Sequence, residues 1–497
     1  MKLYPKYLAL VLLFGLYACG KKEAQQQQPQ LEPLAFTLYS DKTELFVEFK
    51  PLVVGEVSNF AAHFTVLGET FTPRGEATVT VSLLVGDKGV RHTESAALSP
   101  GIFRLALQPT VSGQGKLVFD IDAKDYKDRI VIDDVTVYPD LQAALKNQPP
   151  HHEGSGISYL KEQAWKIEFA NQEVKKQDFN DVIKTSGRLV SAPGDEAMVT
   201  AQAAGVVKFS GNGAVVGQKV HTGTSLFLIT GGDLAQGNID AMVAQARANY
   251  LKAKADFERG KSLAEDQIIS QREFQQIKLQ YDNFRTAYNT MARNYSSKGL
   301  NVTSPMTGYV KNIVVTEGQY VNAGQPLATV SKNIKLQLQA NVSQSDFDKL
   351  STIASANFKA VNDERVYSTT ELNGKLISYG RSAVANEPFI PVIFEIDNNG
   401  NLISGTAVEV YLKSSTIHDV LVVPMTSLVE EQGNFFVYVQ TGGESFEKRE
   451  VKLGALDGRS VQVLSGLAEG ERVVTKGAYQ IKLASASGTM PAHGHEH

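Results

Sequence analysis

The densest donor chemistry in this chain sits in two groups of histidines. His493-Gly494-His495-Glu496-His497 puts three imidazoles and a carboxylate on a flexible backbone. That ligand set suits Zn(II), Co(II), Ni(II) or Cu(II) without implying a rigid geometry. Such a tail either collects a divalent ion transiently or is a solvated end that binds metal adventitiously, and the residues alone leave both open. His151 and His152, which follow Pro149-Pro150, are a weaker pair of the same kind. His63, His92, His221 and His418 stand isolated in the sequence and read as ordinary strand or surface residues, not ligands. The methionines do not cluster, so nothing supports a thioether site for Cu(I) or Ag(I), and divalent cations are favoured.

The other reactive group is Cys19, the single cysteine among 497 residues, which excludes disulfides and cysteine-rich metal sites. It follows Lys2 and Lys6 and the apolar run Tyr7 to Leu16, roughly half the length needed to span a bilayer. This is the pattern of a signal peptide. The sequence Leu16-Tyr17-Ala18-Cys19-Gly20 resembles the lipobox of bacterial lipoproteins, which implies that Cys19 is acylated and becomes the mature N-terminus. Residues 21–33, with Gln25 to Gln28 and two prolines, have no apolar pattern and read as a tether.

Other chemistries find little support. The net charge is −4 and the basic residues are dispersed, so there is no footprint for nucleic acid. Gly211-Asn212-Gly213 with Gly217 misses both the dinucleotide and the Walker spacings. No nucleophile or acid/base constellation points to an enzyme.

What the sequence does offer is an internal repeat. Gly217-Gln218-Lys219-Val220-His221-Thr222-Gly223-Thr224-Ser225-Leu226 and Gly318-Gln319-Tyr320-Val321-Asn322-Ala323-Gly324-Gln325-Pro326-Leu327 share the pattern G-Q-x-V-x-x-G-x-x-L. Each copy is preceded by a short strand opening on glycine, Gly205-Val206-Val207-Lys208 and Gly308-Tyr309-Val310-Lys311, so each reads as half of one compact β-domain. Between the copies the period changes. Phe274, Ile277, Tyr281, Phe284, Tyr288, Met291 and Tyr295 step by three and four as a heptad seam. Ile239, Val243, Ala246, Tyr250, Ala253, Phe257, Gly260 and Ala264 keep the same stepping, with small residues that leave room for the aromatics of the second helix. The two predict an antiparallel helical hairpin on the order of 40 Å long. A biotin or lipoate carrier would need a lysine at the tight turn joining the half-domains; the insertion replaces that turn, which argues against attachment.

On either side of this centre the pattern is period two. Ala77, Val79, Val81 and Leu83 alternate with Thr78, Thr80 and Ser82, and similar runs occur at Leu45 to Phe49, Phe60 to Leu67, Phe103 to Leu107, Leu117 to Ile121 and Ile130 to Val137. Separated by turn signals, they predict an immunoglobulin-like sandwich. After residue 331, alternation returns through Leu336 to Val342, Pro391 to Ile396, Ala407 to Leu412, Val420 to Val423 and Phe435 to Val439, enough for two further β-domains.

A lipoyl-like domain split by a helical hairpin, flanked by β-domains and preceded by a lipobox, resembles the periplasmic adaptor (membrane fusion) proteins of tripartite efflux pumps over roughly residues 157–485. Arg259, Leu263 and Ser270 match that family's hairpin-tip pattern R-x3-L-x6-S, and the resemblance implies that they contact a TolC-like outer-membrane channel. Each also has a plainer reading: Ser270 with Glu273 is a capping box, Leu263 closes the hairpin, and Arg259 is a solvated face residue. Gly405, Val422-Val423-Pro424 and Gly466 to Val474 look like the family's barrel-closing and membrane-proximal segments. Ile157 to Lys166, together with the histidines at domain termini, is closest to the heavy-metal branch of the family.

The residue patterns and the resemblance together imply a multidomain, mainly β chain with an α-helical hairpin. In order it has a signal peptide over 1–18, a lipidated tether over 19–33, an Ig-like β-domain over 34–140 and a linker over 141–156. A membrane-proximal β-domain combines 157–173 with 416–485, its first strand near Trp165 to Phe169, and a β-barrel domain combines 174–195 with 334–415. The split lipoyl-like domain takes 196–232 and 299–333, the antiparallel coiled-coil hairpin 233–298, and a histidine-containing tail 486–497. The implied partners are an inner-membrane RND transporter, a TolC-like channel and further copies of the chain in a trimeric or hexameric ring. The location is the periplasm, with a lipid anchor in the inner membrane. No covalent cofactor is expected, only a transient divalent ion (Zn, Co, Ni or Cu). The cargo reading is heavy-metal cations, with a drug-exporting RND or ABC pump as the alternative and a biotin or lipoate carrier subunit of an enzyme behind it.

Overall fold

The computed structural model describes residues 31–148, 156–211, 215–231, 238–296, 298–361, 363–380 and 388–486. Cys19, His151, His152 and the histidines of the tail lie outside the described residues. The chain divides into two compact units, one containing residues up to Lys176 with Leu421–Leu453 and Val463 onward, the other Gln177–Val420 with Gly454–Gln462.

The first unit opens with the sandwich. One sheet runs Leu34–Tyr39, Thr43–Phe49, Ser58–Val66 and Thr72–Pro73, with Ile102–Leu107 also on Ser58–Val66; the other runs Leu52–Val53, Lys127–Tyr138, Gly113–Ala123, Ala77–Val85 and Lys88–Glu94. The alternation read at Ala77 to Leu83 is realised: Val79 and Val81 are fully buried beside Phe60, Phe64, Phe103 and Phe119, because alternate side chains of a strand share one face. Residues 141–156 do not begin as linker. Asp140 Oδ1 accepts from the Ala143 N–H at 2.8 Å and starts a short helix, Leu141–Lys146, that buries Ala144.

A small β-domain completes this unit from Ile157–Ser158, Ala170–Glu173, Val429–Glu431, Asn434–Gln440, Ser445–Leu456 and Arg472–Lys476. Ala170 pairs with Lys476, and Phe435 with Val451, around a core of Tyr159, Phe169, Tyr438, Phe446, Val474 and Ile481. The strand expected near Trp165 to Phe169 is not there. Leu160 and Gln163 cap a single helical turn, Lys161–Ala164, which Trp165 ends, and the strand starts only at Ala170. The Trp165 indole N–H instead donates to Thr65 Oγ1 of the sandwich at 3.0 Å. Lys161, at 3% exposure, sends its ammonium to Glu44 Oε1 at 2.6 Å, an oxygen that also accepts from Gln440 Nε2 at 2.8 Å and from the Tyr39 hydroxyl at 3.1 Å.

In the second unit the two repeats form a four-stranded sheet (Glu196–Thr200, Pro326–Ser331, Gly308–Ile313, Lys219–Val220) and a five-stranded sheet (Tyr295–Ser296, Gly299–Thr303, Ser225–Thr230, Gly205–Phe209, Tyr320–Val321). Each copy lends its short second strand to the other: Gly205 pairs with Val321, and Gly308 with Val220. The symmetry extends to single bonds, since the Gly217 N–H donates to Val310 O and the Gly318 N–H to Val207 O, both at 2.8 Å. Both of these glycines have φ of +85°, a conformation that costs other residues about 1 kcal/mol or more. Gly308 is needed for a different reason: a Cβ there would lie 2.3 Å from the Ser331 carbonyl oxygen.

A barrel completes the unit. Lys176–Ser191, Lys335–Ser343 and Phe389–Asp397 pair in turn, Ser355–Ala360 pairs with Ala407–Pro424, and the Gly405 N–H reaches Leu189 O at 2.7 Å to close the edge.

Two expectations follow. Gly308→Ala lowers the melting temperature further than Gly318→Ala, because the first forces a backbone shift while the second has open space and only the φ penalty of about 1 kcal/mol; calorimetry of both variants checks the order. Lys161→Met alone leaves the Glu44 carboxylate buried without its counterion and costs about 3–5 kcal/mol, and adding Glu44→Gln recovers most of that, as read by urea titration followed through Trp165 fluorescence.

Candidate functional site

The hairpin grows from the β-domain where Ser225–Thr230 and Gly299–Thr303, the strands flanking the insertion, pair with each other (Phe227 with Val302, Ile229 with Leu300). Asn238 caps the first helix, Ile239–Glu265, by accepting from the N–H groups of Asp240 and Ala241. The second helix is Gln271–Ala292. Phe257 stacks on Phe274 and Tyr281, and Tyr250 on Tyr281 and Tyr288, with centroids 4.8–6.0 Å apart. Partners that climb one helix as they descend the other make the pair antiparallel. Small residues make the room, as expected: a Cβ on Gly260 would come within 3.0 Å of Ile277.

The seam stops earlier than its spacing predicts. Met291 is exposed at the helix end, and Tyr295 lies in the strand Tyr295–Ser296. The helix ends at Ala292: Arg293 is already extended, and Asn294 follows at a φ of +65°. The Tyr295 hydroxyl then donates to Asp240 Oδ1 at 2.7 Å and ties the two roots of the hairpin together. Burial, and then the neighbouring Asp240 carboxylate, push its pKa up to about 12.

At the far end, Arg259 and Leu263 lie one turn apart on one face. The Arg259 guanidinium is 71% exposed and meets Asp256 at 3.6 Å, a screened pair that leaves it available to a partner. Leu263 is half-buried, and its carbonyl accepts from the Ile268 N–H at 2.8 Å, closing the turn through Gln267 at a φ of +59°. Ser270 is occupied. Its hydroxyl accepts from the Glu273 N–H at 3.2 Å and donates to Glu273 Oε2 at 2.8 Å, which also accepts the Ser270 N–H. These bonds hold the Glu273 carboxyl below the usual range and make the expected capping box. Ile268, 66% exposed at this tip, was not singled out by the sequence pattern.

Of the four histidines read as isolated, three sit at the surface. His92 lies 3.6 Å from Glu94, His418 Nδ1 is 2.9 Å from Asp178, and His221 lies in a turn with Thr224. The fourth is a strand residue, as read, but a buried one with two carboxyls nearby. His63, 2% exposed, offers a ring nitrogen to a group in which one ligand atom from each of His63, Glu162 and Glu444 lies within 4.8 Å of the others. The spacing could not reveal it, because the three belong to a sandwich strand, the helical turn after Leu160 and the turn before Ser445. The Glu444 carboxyl is pushed up to about 7, chiefly by burial and further by Glu162 and Glu48, while the Lys161 N–H that it accepts works against the rise.

Among the described residues no helix is long and apolar enough to cross a membrane. The barrel-sandwich hybrid domain of RND membrane fusion proteins matches residues 111–333, and the CzcB C-terminal circularly permuted SH3-like domain matches 421–482. The first match begins inside the sandwich; the second coincides with strands of the small β-domain. The nickel-cobalt-cadmium resistance protein NccB of Alcaligenes xylosoxydans xylosoxydans is 27% identical over 309 residues, 61% of this chain and 75% of that protein. The nickel and cobalt resistance protein CnrB of Cupriavidus metallidurans is 26% identical over 59% of this chain and 74% of its own length, and the multidrug resistance protein MdtE of Escherichia coli is 26% identical over 54% and 74%. A split β-domain with exchanged strands, an inserted helical hairpin and these matches together place the chain in the RND membrane fusion protein family, as a periplasmic adaptor of an efflux pump that works with an inner-membrane transporter and an outer-membrane channel.

Proposed function

We propose that the pump this adaptor serves exports divalent heavy-metal cations, Zn, Co, Ni or Cu. The observation that carries the reading is the similarity to NccB and CnrB, whose names record nickel, cobalt and cadmium resistance. The tail His493, His495 and His497, and more weakly His151 and His152, support it as donors for transient capture of such ions. Similarity to MdtE supports a drug-exporting pump as the second reading. The chain acts non-covalently and is not an enzyme: lipid on Cys19 holds it at the inner membrane, copies associate into a trimeric or hexameric ring, and energy comes from the transporter. Arg259 and Leu263 at the exposed tip, with Ser270 beside them, contact the channel.

A strain lacking this chain, grown across graded Zn, Co, Ni, Cu and several drugs, loses tolerance to one or more of the metals and keeps its drug tolerance; the opposite pattern refutes the metal reading. Arg259→Asp abolishes cross-linking of the adaptor to its channel without changing helix content. Ser270→Asp, which retains an N-cap, separates docking from capping: lost cross-linking with an intact melting temperature assigns the hydroxyl to the channel contact, and unchanged cross-linking assigns it to capping alone.

A further inference from the structure

We propose that His63, Glu162 and Glu444 form a binding site for a divalent transition-metal cation such as Zn(II) or Co(II), built where the sandwich meets the small β-domain. The three donors converge within 4.8 Å from elements remote in the chain. One imidazole nitrogen and two carboxylates are a borderline-hard set that suits Zn(II), Co(II) or Ni(II) and leaves a position for water.

The surroundings are those of a built site. His63 is packed between the Phe46 ring, 5.4 Å away at a steep angle, and the Trp165 indole, 6.1 Å away. Apolar walls of this kind hold an imidazole in one orientation and shield the ion from competing water. Gly443 lets the third ligand approach, since a Cβ there would lie 2.1 Å from the Phe46 ring. Glu162 Oε1 stands 3.9 Å from His63 Nδ1, and Glu162 Oε2 is buried without a hydrogen-bond donor. The nearby ammonium, that of Lys161, is committed to Glu44. The Glu162 and Glu444 carboxyls thus crowd around one imidazole, and a carboxylate oxygen that is buried without a donor is costly unless it is paired or coordinated. A bound ion would fasten the helical turn and the Glu444 turn to the sandwich strand.

The proposal stands on these ligands and not on the identity of the cargo. The full chain with His151, His152, His493, His495 and His497 changed to alanine is titrated with Co(II) while its visible d–d absorption is recorded. A single saturable equivalent is expected, weakened by roughly tenfold or more in Glu162→Gln and again in Glu444→Gln. Near-UV circular dichroism verifies folding of each variant, and because Glu162 lies on a partly exposed turn, it decides the matter if Glu444→Gln does not fold. Absence of a saturable equivalent, or undiminished binding in folded Glu162→Gln, overturns the site. Metal tolerance of cells can fail to depend on the adaptor while this binding persists, so the two readings fall separately.

Discussion

The exchange of short strands between the two repeats is the constraint on which the adaptor's central unit depends. Gly205 pairs with Val321 and Gly308 with Val220, so neither half owns a complete sheet. The domain closes only when the chain returns to its starting point after the insertion. Ser225–Thr230 and Gly299–Thr303 enforce this by pairing with each other, which makes everything between them an extended hairpin loop. Closing so long a loop is entropically costly if it is disordered; two helices that fold back on each other bring the ends together as they form. The Tyr295–Asp240 hydrogen bond fixes that return at the root.

In the other unit the organising interaction is ionic. Glu44, fully buried, gathers Lys161, Gln440 and Tyr39 on a single oxygen, while its second oxygen meets no donor. Removing two charges from water offsets most of their attraction, so the pair adds little net stability. Its effect is geometric: it fixes the helical turn Lys161–Ala164 against the sandwich, which in turn sets Glu162 beside His63 and Trp165 beside Thr65.

How much of this was legible depends on whether a feature is local. Gly217 and Gly318 announced the repeat because a turn at positive φ admits few other residues, and Phe274 to Tyr288 announced a helix because a seam must recur every three or four residues. The same rule overran at Tyr295, whose spacing continues the seam although the chain had already left the helix at Arg293. The strand that the resemblance implied near Trp165 to Phe169 starts only at Ala170, because a capped helical turn, Lys161–Ala164, comes first. His63 looked isolated because its partners arrive from Glu162 and Glu444, and no local spacing encodes a contact made by tertiary packing. Asp140, by contrast, was a readable cap that the linker composition beyond it obscured.

The hairpin shows how function shapes what such a rod can be made of. The first helix buries only Ile239, Val243, Ala253 and Gly260, and the second buries no residue fully. Two helices in water cannot surround a core, so their cohesion rests on rings laid flat along one seam, with Phe257 and Tyr250 each touching two partners. Stacked rings exclude water without needing enclosure, and they hold the helices in register between Tyr250 and Phe257 of the first. The end of the rod has no such ring pair and relies on hydrogen bonds: the Leu263 carbonyl with the Ile268 N–H, and Ser270 with Glu273. Because those bonds satisfy the backbone of the turn, Arg259 and Ile268 are free to face outward. An exposed guanidinium and an exposed apolar side chain near a closed turn lose little conformational freedom on meeting a partner.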